Sequence, residues 1–180
     1  MRKVTKVTFF DDALHRLSKP FDLVLYLTRL LSQNINECAN MKAIAYSIKS
    51  YEKEHLVKSN AKLHELTLIS NELNANTLSY CSGKTVVIIS GFDLLDKTLL
   101  FSLKQIGIRH IITRSKATTH IDLIAAYRLG IKVANNPSDD QSIENTARQT
   151  IRNLSLWESG KCVGNACVCL KNCNDSNNTP

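Results

Sequence analysis

The chain lacks both glycine patterns that most often cradle phosphates. Among its six glycines no G-x-G-x-x-G follows an apolar run and no G-x-x-x-x-G-K-[ST] occurs, so the sequence carries no ordinary dinucleotide fingerprint. Long apolar runs are missing too. The stretch 21–31, FDLVLYLTRLL, contains Asp22 and Arg29 and falls short of the ~20 residues that a spanning helix requires, so no membrane insertion is expected. Asp11 and Asp12 interrupt the beginning and no small-residue cleavage site follows, so no secretory signal is expected. Basic residues outnumber acidic ones, 23 to 16, for a formal charge of +7. They form no Lys/Arg run, and aromatic residues do not interleave with them, so nucleic-acid binding is not expected. Six cysteines without a secretion signal point to a reducing, cytoplasmic setting, where thiols serve as core residues, metal ligands or redox groups.

What is present is a regular alternation. β-Branched runs mark short buried strands at 42–47, 66–69, 85–90, 110–113 and 131–134. Between them, Leu56 with Leu63, Leu95 with Leu99 and Leu103, and Ile121 with Ile124, Ala125 and Leu129 form apolar stripes at helical spacing. Strands alternating with helices imply βαβ crossovers. The fold class expected is α/β, a flavodoxin-like three-layer sandwich with a mostly parallel five-stranded sheet, and the length suffices for one buried core.

Gly107 and Gly130 each follow an apolar stripe and precede a strand, which predicts left-handed helix caps rather than phosphate contacts. From 142 to 157 the pattern becomes one longer helix, with Ile143, Ala147, Ile151, Leu154 and Trp157 on one side. Asp139, Asp140 and Ser142 suit its positive end. Arg148 and Arg152 stand four apart on the flank, read as a solvated face with an anion or subunit contact as the alternative.

The last segment is rich in cysteine. Cys162, Cys167, Cys169 and Cys173 lie in KCVGNACVCLKNC, a C-x4-C-x-C-x3-C run. Four thiolates so spaced suit a tetrahedral soft metal such as Zn²⁺ or Cu(I), or an iron–sulfur cluster, with Gly160 and Gly164 supplying backbone freedom. The spacing matches neither paired C-x2-C knuckles nor ferredoxin runs. Redox thiols, or no role, stay open beside metal ligation. Cys38 and Cys81 stand alone and read as buried or incidental.

The order of strand, helix, strand and long helix over 107–147, with MKAIAYSIKSYEKEHL from Met41, resembles the substrate-binding domain of D-isomer-specific 2-hydroxyacid dehydrogenases, the D-lactate dehydrogenase group especially. The likeness fades near Trp157 and covers about two thirds of the chain. It implies a flavodoxin-like domain that closes with a Rossmann NAD domain over a 2-hydroxy or 2-oxo acid, hydride passing between nicotinamide and the second carbon. The family pattern Arg-Ser/Asn-x-Gly-x-Asp-x-Ile-Asp matches Arg114, Ser115, Lys116, Ala117, Thr118, Thr119, His120, Ile121 and Asp122. The resemblance therefore implies Arg114, Ser115, Lys116, Ala117 and Thr118 as the substrate-binding set, with the loop amides on the carboxylate. Ala117 stands where the family has glycine, and Thr119 where it has aspartate. Lys116 is a candidate compensating charge, and His120 a further donor or a capping residue.

In the hinge, Asn135, Asn136, Pro137, Ser138, Asp139, Asp140 and Gln141 replace Asn-Val-Pro-x-Tyr-Ser-Pro. Asp139 takes the tyrosine position, where its charge would repel a carboxylate. In the family, the catalytic arginine, the acidic residue and the acid/base histidine follow the hinge helix, where this sequence turns to its cysteines. No catalytic and no NAD-binding residue is therefore assigned.

These readings divide the chain into an extension over 1–40, with Met41 as an alternative translation start, a flavodoxin-like domain over 41–141, a hinge-type helix over 142–159 and a cysteine-rich tail over 160–180. The expected function is a small-anion binding or regulatory domain of dehydrogenase descent that is not catalytic alone. The alternatives are a metal or redox protein working through its cysteines, and half of a split dehydrogenase completed by a Rossmann-domain partner. An exposed apolar stripe at Ile151, Leu154 and Trp157 is expected to make a homodimer or a helix-mediated heteromer.

Overall fold

The computed structural model describes residues 41–168; the extension over 1–40, Cys169 and Cys173 lie outside the described residues. The elements are β1 (Lys42–Ala45), α1 (Ser50–Asn60), β2 (Glu65–Leu68), β3 (Val86–Ile89), α2 (Lys97–Ile106), β4 (His110–Thr113), α3 (Leu123–Arg128), β5 (Lys132–Ala134) and α4 (Ile143–Glu158). Short 3-10 helices occupy Leu78–Cys81 and Gly164–Ala166. The five strands form one sheet in the order β2-β1-β3-β4-β5, every pair parallel, which is the flavodoxin-like order.

Helices cover both faces, and that is why the central strand β3, VVII, reads as an unbroken apolar run. Alternation along the strands divides the core. Ile44, Val87, Ile89, Ile111 and Val133 pack on the side of Leu100 and Leu103 of α2 and Ala125 and Ala126 of α3. Ala43, Ala45, Val86, Ile88, Ile112 and Ala134 pack on the side of Leu56 of α1 and Ala147, Ile151, Leu154 and Trp157 of α4.

Local chemistry sets the helix ends. The side chains of Asp96, Asp122 and Ser142 accept the N–H groups of Leu99, Ala125 and Asn145 at the starts of α2, α3 and α4. Gly107 closes α2 at φ 108°, its N–H reaching the Leu103 and Lys104 carbonyls, and Gly130 follows α3 at φ 65°. Both are the left-handed positions expected of them.

Tertiary packing overrides the pattern at three places. Leu63 does not share a stripe with Leu56: the chain reverses through left-handed Ala61 and Lys62, pinned by Asn60 to the His64 backbone, and Leu63 is 61% exposed. Leu95 precedes α2 and pairs with Ile121 through the backbone, and Ile124 on the short α3 is 56% exposed. The third difference concerns α4. Its Ile151, Leu154 and Trp157 are buried against the domain's own sheet, so they form no exposed stripe. The last turn of α4 is held by the His64 ring, whose Nε2 lies 2.9 Å from Ser155 Oγ while Nδ1 faces Glu158 at 3.2 Å; Glu158 also accepts the Met41 N–H. Among the described residues no helix is long and apolar enough to cross a membrane.

Trp157 packs its ring on that of His110, centroids 4.7 Å apart. Burial pushes the His110 imidazole down to about 4, with Lys132 and Arg109 adding repulsion. A histidine depressed in the folded state contributes fully above its unfolded value near 6.5, and that contribution is lost as pH falls through the window from 6.5 towards 4. Urea unfolding across that window is expected to show a loss on the order of 2–3 kcal/mol that is absent in His110→Phe. Equal slopes in the two proteins would show that His110 does not drive it.

Candidate functional site

In an open parallel sheet, ligands bind beyond the carboxyl ends of the strands, where the order reverses; here that point lies between β1 and β3. A cleft of about 260 Å³ opens there, lined by Tyr51 and Glu52 of α1, by Ser90, Gly91 and Phe92 after β3, and by Arg114 and Ser115 after β4. Behind Ser90 of that lining lies the buried carboxylate of Asp93. That carboxylate is 2% exposed, and it accepts Ser47 Oγ at 2.7 Å and the Leu73 N–H at 3.0 Å on one oxygen, and the Ser90 N–H at 2.7 Å and Ser90 Oγ at 2.8 Å on the other. One side chain thereby ties together the loops after β1, β2 and β3.

Arg114 does the same between β4 and β1. Its guanidinium donates to the carbonyls of Tyr46 at 2.9 Å and Ser47 at 3.1 Å, and its Nε faces Glu52 at 3.3 Å. Burial pulls the guanidinium below its usual value, and the Glu52 and Asp93 carboxylates oppose that pull. Glu52 also accepts the Lys49 N–H ahead of α1. Arg114, expected as a substrate contact, thus lines the cleft and at the same time clamps the end of β1.

The loop that follows is held from within. Ser115 Oγ donates to the Ala117 carbonyl at 2.6 Å and lies 3.0 Å from Thr113 Oγ1, which lies 3.0 Å from His120 Nε2. With the Ser115 proton committed, Thr113 donates to Ser115, and His120 must donate through Nε2. His120 is thus a buried anchor, its imidazole pushed down by burial and supported by Asp93. Asn135 Nδ2 donates to the Lys116 carbonyl at 2.7 Å. The N–H groups of Lys116, Ala117, Thr118 and Thr119 donate to no acceptor among the described residues. Ala117 is not among the left-handed residues, so this loop does not need a glycine's backbone freedom there.

The opposite wall is Gln141, at the end of the β5–α4 loop, with Ile143, Thr146 and Ala147 of α4. Asn136 Oδ1 accepts the Ser138 N–H, Ser138 Oγ that of Asp140, and Asp140 Oδ1 that of Ser142, a run of short turns that fixes the backbone. Asp139, between them, takes the ammonium of Lys116, which holds its carboxyl below the usual range. Of the five residues expected at the substrate, Arg114 and Ser115 line the cleft, while Lys116, Ala117 and Thr118 lie on the outer loop. Gly91 follows β3, but α2 opens only at Lys97 and a Cβ on Gly91 would meet Ser115 at 3.3 Å. The β3–α2 loop therefore does not bring a helix start to a bound pyrophosphate at Gly91.

Cys162 is exposed and Cys167 half-buried, with Gly160 and Gly164 left-handed as a tight turn requires. Among the described residues no three or more His, Cys, Asp or Glu side chains converge as metal ligands. The segment does not hang free through 168. Val163 and Ala166 are buried, and 166–168 pairs antiparallel with β5. Cys81 is buried, with its sulfur 3.1 Å from the Tyr46 hydroxyl, as a lone core thiol should be.

Sequence reasoning missed Asp93, Ser47, Ser90 and Glu52. The available signal for Asp93 was a carboxylate three residues beyond a buried strand at the switch point. In Asp93→Asn, whichever way the amide turns, its NH₂ confronts a pair of donors, and a destabilisation of about 3 kcal/mol is expected. Urea denaturation measures it; a change below 1 kcal/mol, on the order of a surface substitution, would show that the loops do not depend on this carboxylate.

Comparison with known proteins agrees with this geometry. The profile of the D-isomer specific 2-hydroxyacid dehydrogenase catalytic domain matches residues 41–168. A D-lactate dehydrogenase of Curvularia clavata is 32% identical over 103 residues, 54% of this chain and 30% of that protein. The apo-structure of Escherichia coli D-lactate dehydrogenase superposes with TM-score 0.54 at 33% identity, over 56% of this chain and 32% of that one. Salmonella D-lactate dehydrogenase gives 0.52 at 32%, over 54% and 30%. The chain thus spans about 30% of the length of the curated relatives it matches. Through residues 41–168 it belongs to the D-isomer specific 2-hydroxyacid dehydrogenase family, as that family's catalytic domain.

Proposed function

We propose that residues 41–168 form a binding domain for a small carboxylate, a 2-oxo or 2-hydroxy acid, that transfers no hydride by itself. The observation that carries this reading is the run of N–H groups at Lys116, Ala117, Thr118 and Thr119, unpaired among the described residues, in a loop whose carbonyls from Ser115 to Thr118 are already bonded. Backbone donors fixed before binding cost little to organise, which suits a carboxylate. In the reaction that the relatives' names imply, NAD would supply or accept the hydride. It would be held by a Rossmann domain on an adjoining or partner polypeptide, since the sequence carries no ordinary dinucleotide glycine fingerprint.

Titration of the ¹⁵N-labelled chain with pyruvate and with D-lactate is expected to shift the amide signals of 116–119 saturably, while NADH oxidation with pyruvate stays at the buffer rate. Unmoved loop signals would overturn the binding reading, and turnover by the chain alone would overturn the non-catalytic one.

A second reading puts a soft metal, Zn²⁺, Cu(I) or an iron–sulfur cluster, on Cys162, Cys167, Cys169 and Cys173. It is favoured by the exposed Cys162 between two left-handed glycines, with Cys167 anchored by backbone pairing to Ala134. Elemental analysis and a UV–visible spectrum of anaerobically purified protein are expected to show stoichiometric metal that the Cys167→Ser, Cys169→Ser variant lacks. Metal-free wild-type protein removes this reading.

A further inference from the structure

We propose that Asp139 is a built-in competitor for the anion, so that the site admits a carboxylate by exchange on Lys116 rather than by filling an empty charge. This rests on the carboxylate-binding reading of the 116–119 loop. Lys116 leads the run of amides that are unpaired among the described residues, and its ammonium is already engaged by Asp139 of the β5–α4 loop. The neighbours of Asp139 are committed elsewhere: Asp140 to the Ser142 N–H, Ser138 to the Asp140 N–H and Gln141 to the Ser138 carbonyl. Among the described residues Asp139 accepts from Lys116 and from nothing else, and its side chain is 96% exposed.

Those facts separate this pair from the buried contacts of Arg114 and Asp93. A tethered carboxylate acts at an effective concentration in the millimolar range or above, so it outcompetes dilute monoanions. Because both partners face water, the pair contributes little to folding and breaks without loss of packing. Asp139 would then swing into solvent while the incoming carboxylate takes Lys116 and the amides beside it. A carboxylate left close to the site would also repel the ligand, so the exchange favours anions that use several amides at once over those that use the ammonium alone.

The test is the pyruvate titration of the full ¹⁵N-labelled chain, read at the amides of 116–119, for wild type, Asp139→Asn and the double variant Lys116→Met, Asp139→Asn. Asp139→Asn is expected to bind pyruvate roughly 3- to 10-fold more tightly, and the double variant to lose that gain. Equal affinity in wild type and Asp139→Asn overturns the competitor role while leaving the carboxylate site standing. A gain that persists without Lys116 also overturns exchange, because general charge removal would then explain it. Loop amides that respond to pyruvate in none of the three proteins overturn the site itself and the competitor with it.

Discussion

Everything at the carboxyl edge depends on the burial of one carboxylate. Removing an ionised carboxylate from water costs several kcal/mol or more unless donors replace the lost hydration. Asp93 obtains four donors, from Ser47, Leu73 and Ser90, and each belongs to a loop or strand end that must be in position before the charge is satisfied. Ser47 meets a further cost, since it sits at φ 54° without being glycine. Its hydroxyl is held by Asp93 and its carbonyl by Arg114, so two buried charges of opposite sign hold one strained residue from two sides. The ends of β1, β3 and β4 and the loop after β2 therefore form one network.

The same network decides what is left for chemistry. An arginine beside an anion site is ordinarily its main attraction, yet beside the proposed anion loop three of the guanidinium's five N–H groups already face two carbonyls and a carboxylate. His120 is likewise consumed in the chain through Thr113 and Ser115 to the Ala117 carbonyl. What remains uncommitted are backbone donors. Ala117 fits this arrangement because its backbone lies outside the left-handed region, so a methyl group in place of the family's glycine brings no strain. The specificity of such a loop lies in its shape rather than in a charge aimed into the cleft.

The sequence was most legible where structure is local. Strand runs at 85–90 and 110–113 and the caps at Gly107, Gly130 and Ser142 follow from alternation, chirality and unpaired helix ends, and all are found where those rules put them. Legibility failed where partners are distant in the chain. Leu56 and Leu63 have helical spacing, but a turn fixed by Asn60 and His64 lies between them. The apolar side of α4 was visible, but not that α1 and the sheet would cover it. Asp93 was hard to read for the same reason, since two of its four donors, the Ser47 hydroxyl and the Leu73 N–H, come from residues far away in the chain, and the clamp that Arg114 makes on the end of β1 was not visible beside its reading as a ligand contact.

The sheet edges limit where this domain can meet anything else. A parallel sheet leaves two outer strands with unpaired backbone groups, and such edges recruit further strands. On one side, β5 is paired antiparallel by 166–168, with Asn135 N–H on the Ala166 carbonyl at 2.9 Å and Val168 N–H on Val133 at 3.1 Å. On the other, β2 is four residues long and carries Glu65, which Lys84 and Lys42 engage in surface ion pairs. Short length and charge make that edge a poor template. With one edge paired and the other charged, contact falls to the helical faces and to the carboxyl edge, and it is there that the protein leaves Phe92 90% exposed beside the cleft. A large aromatic in water gains from being covered, by about 25 cal/mol for each Å² removed from solvent. The carboxyl edge thus combines the unpaired donors, the exchangeable ion pair and uncovered apolar area, and it is the surface where a ligand and a covering domain would both find free energy to gain.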